Sequence, residues 1–402
     1  MENSNLTDPQ DRTQVFQQAV VTSLHYWQTW LEASVSDSAA VDRERNIIIR
    51  SLSFALDLEA LAWPSARQVI ETFSPYMERR GYWDTWREIL SRALSIARRL
   101  NDAPGEIGVS VLLARLLFQQ SRFQEAISHY RRTICAARQI GDRFNEARAC
   151  TNLGYYYAEK GNWRRSETLC CYALRLFTQI ANAVGRAHTE NHLGVLYDLQ
   201  GRWEEAGYHL ERACTLWESM GDDHGLMRGF INLGALHNAM KQPDQALRYF
   251  EKARYRAQLT GEEAILGTIH MNMGHAYLLT GDFATSEAHT RQAEAIFTRY
   301  ANMVELARVW NNLGMACFYQ GKWEEARFHL DASLRQWRTL NNTKGELDTL
   351  VDIIEFERAT GNTAQALARL REVEALLGPN PHHPAYHSIH PVIEKYRRSL
   401  TE

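Results

Sequence analysis

Two histidines stand four residues apart in the run His188-Thr189-Glu190-Asn191-His192, the spacing at which one turn of helix offers two imidazoles to a zinc ion. A helical zinc hydrolase needs its glutamate directly after the first histidine, as general base, and a third ligand elsewhere. Here the glutamate comes one residue later and no third ligand is evident, so the run predicts no bound metal. His383, His387 and His390 can share a helical face, but Pro384 and Pro391 make that helix start irregular, and surface histidines are expected there. The six cysteines (Cys135, Cys150, Cys170, Cys171, Cys214 and Cys317) include no Cys-x-x-Cys pair. Five of them fall on expected packing faces, which reads as small buried hydrophobes in a reducing compartment. No Gly-x-Ser-x-Gly elbow, no Cys/His pair in a recognisable context and no paired-carboxylate motif occurs. The chain is therefore expected to be no enzyme, with no catalytic residue and no cofactor.

A different set of polar residues recurs at a fixed interval. Asn152, His192, Asn232, Asn272 and Asn312 are spaced by 40 residues, and Arg148, His188, Arg228 and Arg308 precede four of them by one helical turn. Asparagine carries both an amide donor and a carbonyl acceptor, so a row of them can pair with the backbone of an extended peptide whatever its sequence. Arginine can fork onto a carboxylate. Asparagines can equally bond to neighbouring helices and fix how repeats stack, and the arginines can pair with Asp198, Glu159, Asp348 or Asp352.

The elements that position this row follow from the same period. The tripeptides Asn152-Leu153-Gly154, His192-Leu193-Gly194, Asn232-Leu233-Gly234, Asn272-Met273-Gly274 and Asn312-Leu313-Gly314 mark one position, with turns at Gly161, Gly201, Lys241, Gly281 and Gly321. A period of this size is the signature of a solenoid. Apolar residues step by three and four, as in Ala147, Cys150, Leu153, Gly154 and Tyr157, so each unit is expected to be a helical hairpin. Glycine inside a helix costs about 1 kcal/mol relative to alanine. Its recurrence predicts close approach to the second helix, with the small residues Ala126, Ser166, Ala206, Ala246, Ser286, Ala326 and Ala366 as the flat spot. Trp83, Trp163, Trp203 and Trp323, beside the turns, are expected in hairpin packing.

Extending the register gives eight repeats over 67–378, preceded by a disordered segment (1–12) and a capping hairpin (13–66) and followed by a capping helix (379–402). Net charge is −3 and charged residues make up 23% of the 402 residues, which supplies no electrostatic footprint for nucleic acid. No stretch approaches 18 consecutive apolar residues and the N-terminus carries no apolar targeting core, so a cytoplasmic protein without membrane contact is expected.

These units resemble tetratricopeptide repeats, with Leu-Gly in the first helix, an aromatic three residues on (Tyr157, Tyr197, Tyr277) and the small residue of the second helix. The 40-residue length and Asn-Leu-Gly signature are similar to kinesin light chain and the Leu-Gly-Asn-repeat scaffolds. The N-terminal part is similar to the helical sensor region of STAND signalling ATPases, although no Gly-x-x-x-x-Gly-Lys-Ser/Thr loop occurs in the sequence. The resemblance implies an all-α, right-handed superhelix (an α-solenoid of tetratricopeptide-like hairpins) whose first helices line a concave groove. It points to an adaptor or scaffold that binds a protein or extended peptide there. The groove residues would be Arg148, Asn152, Tyr155, His188, His192, Arg228, Asn232, Asn272, His275, Arg308, Asn312 and Tyr319. The alternative is a ligand-sensing regulatory subunit that controls a separately encoded ATPase, protease or transcription regulator.

Overall fold

The computed structural model describes residues 9–34, 38–120, 122–378 and 386–401. Among them the chain is all-α, with nineteen α-helices, one short 3-10 turn and no strand. Residues 1–8 of the segment expected to be disordered lie outside the described residues, and residues 9–12 already belong to helix α1 (Pro9–Ser34). After α2 (Ser38–Asp57) come eight consecutive pairs of helices, from α3 (Trp63–Arg79) with α4 (Trp83–Arg99) to α17 (Thr343–Ala359) with α18 (Thr363–Leu377). A last helix, α19, runs Tyr386–Thr401. His383 lies outside the described residues, as does the side chain of His387.

Each described turn between helices closes with one residue in the left-handed region, and these recur every 20 residues: Gly81, Asn101, Gly141, Gly161, Ala181, Gly201 and so on to Gly361. A left-handed residue terminates a helix by letting the next N–H groups turn back onto its last carbonyls. The following helix is then started by a polar cap. Asp102, Asp222, Asn302 and Asn342 each accept a backbone N–H from three residues on, which satisfies a donor the helix leaves open.

Two compact units can be distinguished, Met1–Tyr155 with Thr168–Arg186, and Tyr156–Glu167 with Ala187–Glu402. In the first, Phe73 stacks on Tyr76 at 5.2 Å and meets Trp86 edge-on at 5.5 Å, while the Trp86 indole donates to Ser74 Oγ at 3.1 Å. In the second, Phe250, Ala253, Ile269, Met273 and Ala276 form one cluster and Leu330, Leu347, Ile353, Phe356 and Ile393 belong to another. All these side chains are buried, as helices sandwiched between neighbours require.

The repeated glycine does mark close approach, but its partner differs from the one expected. A Cβ at Gly194 would lie 2.5 Å from Leu210 Cγ and 3.2 Å from the Ala206 carbonyl; at Gly314 it would lie 2.6 Å from Leu330 Cγ. The ring or branch sixteen residues on fills the glycine notch, and the small residue contributes its backbone. Trp323 packs on Phe318 of its own hairpin at 5.7 Å, as expected of the turn-adjacent position, although Trp203 and Trp323 remain 43% and 50% exposed; Phe177, Trp217, Phe297 and Trp337, near the ends of second helices, are buried. One further expectation is corrected. Cys135 and Cys171 are exposed, Cys214 is half-buried, and only Cys150, Cys170 and Cys317 are buried.

Candidate functional site

In the first unit, helix α7 (Arg143–Glu159) carries Arg148, Asn152 and Tyr155. Arg148 lies beside Arg115, Glu78, Tyr130 and Glu71; burial and the like charge of Arg115 bring its pKa down to about 10. Glu78 is already held by Arg115, whose Nε is 2.6 Å from Oε2. Asn152 hydrogen-bonds the buried Tyr130 phenol, and Tyr155 meets Phe118 edge-on at 5.9 Å.

The remaining candidates belong to the second unit. On α9 (Ala183–Leu199), the His188 ring packs against buried Trp217 and lies 3.5 Å from Arg228 Nη1. His192, on the same helix, is half-buried. Glu190, between the two histidines, is fully buried and points elsewhere: it is held by His209 at 2.6 Å and Arg212 at 3.1 Å. The run is thus a packing and ion-pair feature. On α11 (Asp223–Ala239), Asn232 donates its amide to Asn191 Oδ1 at 2.8 Å. Arg308, on α15 (Met303–Tyr319), is exposed and 3.7 Å from Glu305.

A ladder between neighbouring first helices, one of the two roles open to the asparagines, emerges from these bonds. Asn232 reaches Asn191, Asn312 Nδ2 donates to the Met271 carbonyl at 3.4 Å, and Asn311 Nδ2 donates to Asp352 Oδ2 at 2.6 Å. In every case the partners are 41 residues apart. Asn232 and Asn312 of the recurring row thus each donate back to the first helix before their own, and Asn311, beside the row, donates forward to the next one; each uses one amide proton and keeps further donor and acceptor capacity.

The row opens into a cavity at α13 (Glu263–Thr280), α15 and α17, with a volume of about 550 Å³. His275, Asn312 and Tyr319 line it together with three residues not expected there, Asn311, Asp352 and Glu355. Asn272, which shares the register position of Asn312 and Asp352, is half-buried and accepts Asn238 Nδ2 on its carbonyl at 3.3 Å. Tyr319 stacks on Phe283 at 4.9 Å and donates to Glu355 Oε1 at 2.8 Å; Tyr396 of α19 donates to the other oxygen at 3.3 Å. Burial pushes the Asp352 carboxyl up to about 7, with Asp348 and Glu355 adding to the effect against the Asn311 hydrogen bond. Burial likewise raises Asp348, opposed by Lys344 and Arg308, and lowers the His275 imidazole. The volume falls within the range of small-molecule and side-chain pockets.

One set of metal-capable groups occurs among the described residues, Glu287, Cys317 and Glu325, with ligand atoms within 4.8 Å of one another. It is already neutralised: Glu287 is bound by Lys322 and Arg291, each at 2.7 Å, and by Gln320 at 2.8 Å. Burial holds the Cys317 thiol up at about 11, so no thiolate is offered at neutral pH. No helix among the described residues is long and apolar enough to cross a membrane.

Paired helices repeating every 40 residues, with polar bonds linking first helices α9 to α11, α13 to α15 and α15 to α17, define a helical-repeat protein of the interaction class. The profile of the tetratricopeptide repeat matches residues 145–219, 226–299 and 305–378, and the chain belongs to that family. The regulatory protein AfsR of Streptomyces griseus is 24% identical over 184 residues, covering 43% of this chain and 19% of its own. The chain thus spans about a fifth of that relative's length. Aspartyl phosphate phosphatase F from Bacillus subtilis superposes with a TM-score of 0.59 at 14% identity over 88% of this chain and 94% of its own. The Rap conjugation gene regulator of plasmid pLS20, solved with the Phr* peptide, gives 0.58 at 13% identity, covering 95% and 96%. A STAND protein with a tetratricopeptide repeat sensor from Pyrococcus horikoshii gives 0.56 at 12% identity, covering 89% of this chain and 55% of its own. At these identities the likeness is one of fold.

Proposed function

We propose that the chain is a non-catalytic adaptor or regulator that binds an extended peptide segment along its first helices, with the α13/α15/α17 cavity as an anchoring site. The observation that carries this is the cavity itself, which combines amide groups, an aromatic wall and polar groups withheld from water. The asparagine ladder supplies backbone-pairing groups on the helices leading to it. Similar folds solved with a competence and sporulation factor or a Phr* peptide support a peptide as the occupant. Likeness to a regulatory protein and to a STAND sensor supports control of an effector as the outcome.

Affinity capture from the native host, quantified by mass spectrometry, tests the proposal with two charge substitutions of exposed apolar residues. Leu279 lines the cavity and is 38% exposed; Phe328, on α16 (Trp323–Thr339), is 65% exposed. Leu279→Arg is expected to abolish capture of the specific partner and Phe328→Arg to leave it. Equal capture by both variants and wild type would refute the cavity as the anchoring site.

A further inference from the structure

The charge inventory of the α13/α15/α17 cavity is lopsided. Its lining holds two carboxyls, Asp352 and Glu355, with Asp348 acting on the first, and no lysine or arginine. Asn311 Oδ1 is shielded from solvent and accepts no hydrogen bond. It belongs to the residue that gives its only recorded amide proton to Asp352, so an acceptor and a carboxyl stand side by side with one donor between them. Both Glu355 oxygens receive phenol protons, from Tyr319 and Tyr396, which orients that carboxyl without supplying a charge. Arg308 and Lys344 act on Asp348, whereas Asp352 accepts from Asn311 and pairs with no cation among the described residues. A buried polar atom left unpaired is destabilising, so a group that brings donors and positive charge into this space is favoured twice.

The chemistry also breaks the repeat. Asp348, Asp352 and Glu355 occupy in α17 the positions that Arg308, Asn312 and Met315 occupy 40 residues earlier in α15. The arginine and asparagine of the row become acids in this copy alone, facing a cavity whose other wall is aromatic: Phe283 stacked on Tyr319. Such a wall suits the alkyl stem of a long basic side chain and, by its π face, the cation at its end.

We infer that the α13/α15/α17 cavity takes a cationic nitrogen of the bound peptide, which donates to Asp352 and Asn311 Oδ1 and lies against the Tyr319/Phe283 wall. The inference rests on the peptide-binding function proposed above and adds its chemical selectivity. Two sources share this chemistry, a lysine or arginine side chain and a free amino terminus.

A random synthetic heptapeptide library, prepared once with free and once with acetylated N-termini, separates them when screened against the full chain, Asp352→Asn and Glu355→Gln. Circular dichroism matched to wild type establishes that each variant is folded. Retention of peptides with lysine or arginine at one fixed position in both libraries assigns the side-chain source; retention from the free-amine library alone assigns the terminus. In either case replacing the cation is expected to weaken binding about tenfold or more, and Asp352→Asn is expected to keep the remaining sequence preference while losing that for the cation. Peptides retained by wild type with no cationic preference, or a preference unchanged in both variants, would overturn the inference and leave the peptide groove standing. Failure of wild type to retain any peptide from either library would overturn the groove with it.

Discussion

Replacing Asp352 by asparagine should stabilise the protein at alkaline pH and do progressively less as the pH falls. The carboxyl is raised from its ordinary value of 3.8 to about 7, a shift of about three units, each worth about 1.4 kcal/mol. A carboxyl with a raised folded-state pKa binds its proton more tightly folded than unfolded. The stabilisation from that proton is complete below about pH 4 and is lost as pH rises through 7. Above pH 7 the wild type therefore carries a penalty of at most about 4 kcal/mol, which an uncharged asparagine avoids. Its carbonyl can still accept the Asn311 amide proton, so the rung at 2.6 Å has a replacement acceptor. Between pH 5 and pH 7.5 the advantage of the variant should grow by about 2–3 kcal/mol. The groups facing Asp352 are Asp348 and Glu355 on its own helix, Asn311 and Tyr319 on α15, His275 on α13 and Tyr396 on α19. Because these are present in both proteins, urea unfolding of the pair at each pH isolates the Asp352 contribution. A difference that does not change with pH, or that favours wild type at high pH, would refute the reasoning.

Four further outcomes are expected. Gly194→Ala should destabilise by up to about 2 kcal/mol, since clashes worth about 1–3 kcal/mol with Leu210 and the Ala206 carbonyl exceed the helix-propensity gain of about 1 kcal/mol. Gly207→Ala, whose new Cβ would find its nearest atom 3.7 Å away, should stabilise by up to about 1 kcal/mol; denaturant titration of both variants checks the sign. Ala301→Gly should stabilise by about 0.5–1 kcal/mol, measured the same way, because Ala301 sits at φ 48°, where a side chain is strained by about 1–2 kcal/mol. His270 and His289 face each other with Nδ1 atoms 2.9 Å apart, and burial with the neighbouring imidazole lowers His270 to about 4. Their neutral forms stabilise the fold above pH 6.5, and about 3 kcal/mol should be lost toward pH 4. His270→Gln should flatten that acid limb in a thermal-denaturation series.

The fold was legible because one physical constraint, the stacking of identical hairpins, writes the same residue at the same place every 40 positions. Turn glycines, the notch at Gly154 and its copies, and the apolar stripes all express it. What a residue touches was less legible. The notch glycines look small because of Leu210, Phe250 and Leu330 sixteen residues on, not the alanines twelve on, since a side chain leans back over the preceding turn of its helix. Trp203 and Trp323 recur beside turns yet remain half-exposed, because an indole can cover a helix end with one face in water.

The candidate site was legible as a row but not as a cavity. Asparagines at one register position suggest ligand contact or helix stitching equally, and only the 41-residue spacing of the actual bonds separates the stitched groups. The signal for the cavity was present in the sequence: carrying the register one copy further places Asp348, Asp352 and Glu355 under Arg308, Asn312 and Met315. One copy that replaces an arginine, an asparagine and a methionine by acids stands out against the repeat that surrounds it.

Site-specific photocrosslinking tests the anchoring site most directly. A photoreactive phenylalanine derivative is placed at Leu279 in the cavity wall, at Phe328 on α16, or at Tyr208 on α10 (Trp203–Met220), where the native side chain is 55% exposed. Irradiation in the native host should yield a partner adduct from position 279, mapping to an extended peptide segment, and none from positions 328 or 208. Adducts from 328 or 208 with none from 279 would place binding on the second helices and contradict peptide anchoring in the α13/α15/α17 cavity.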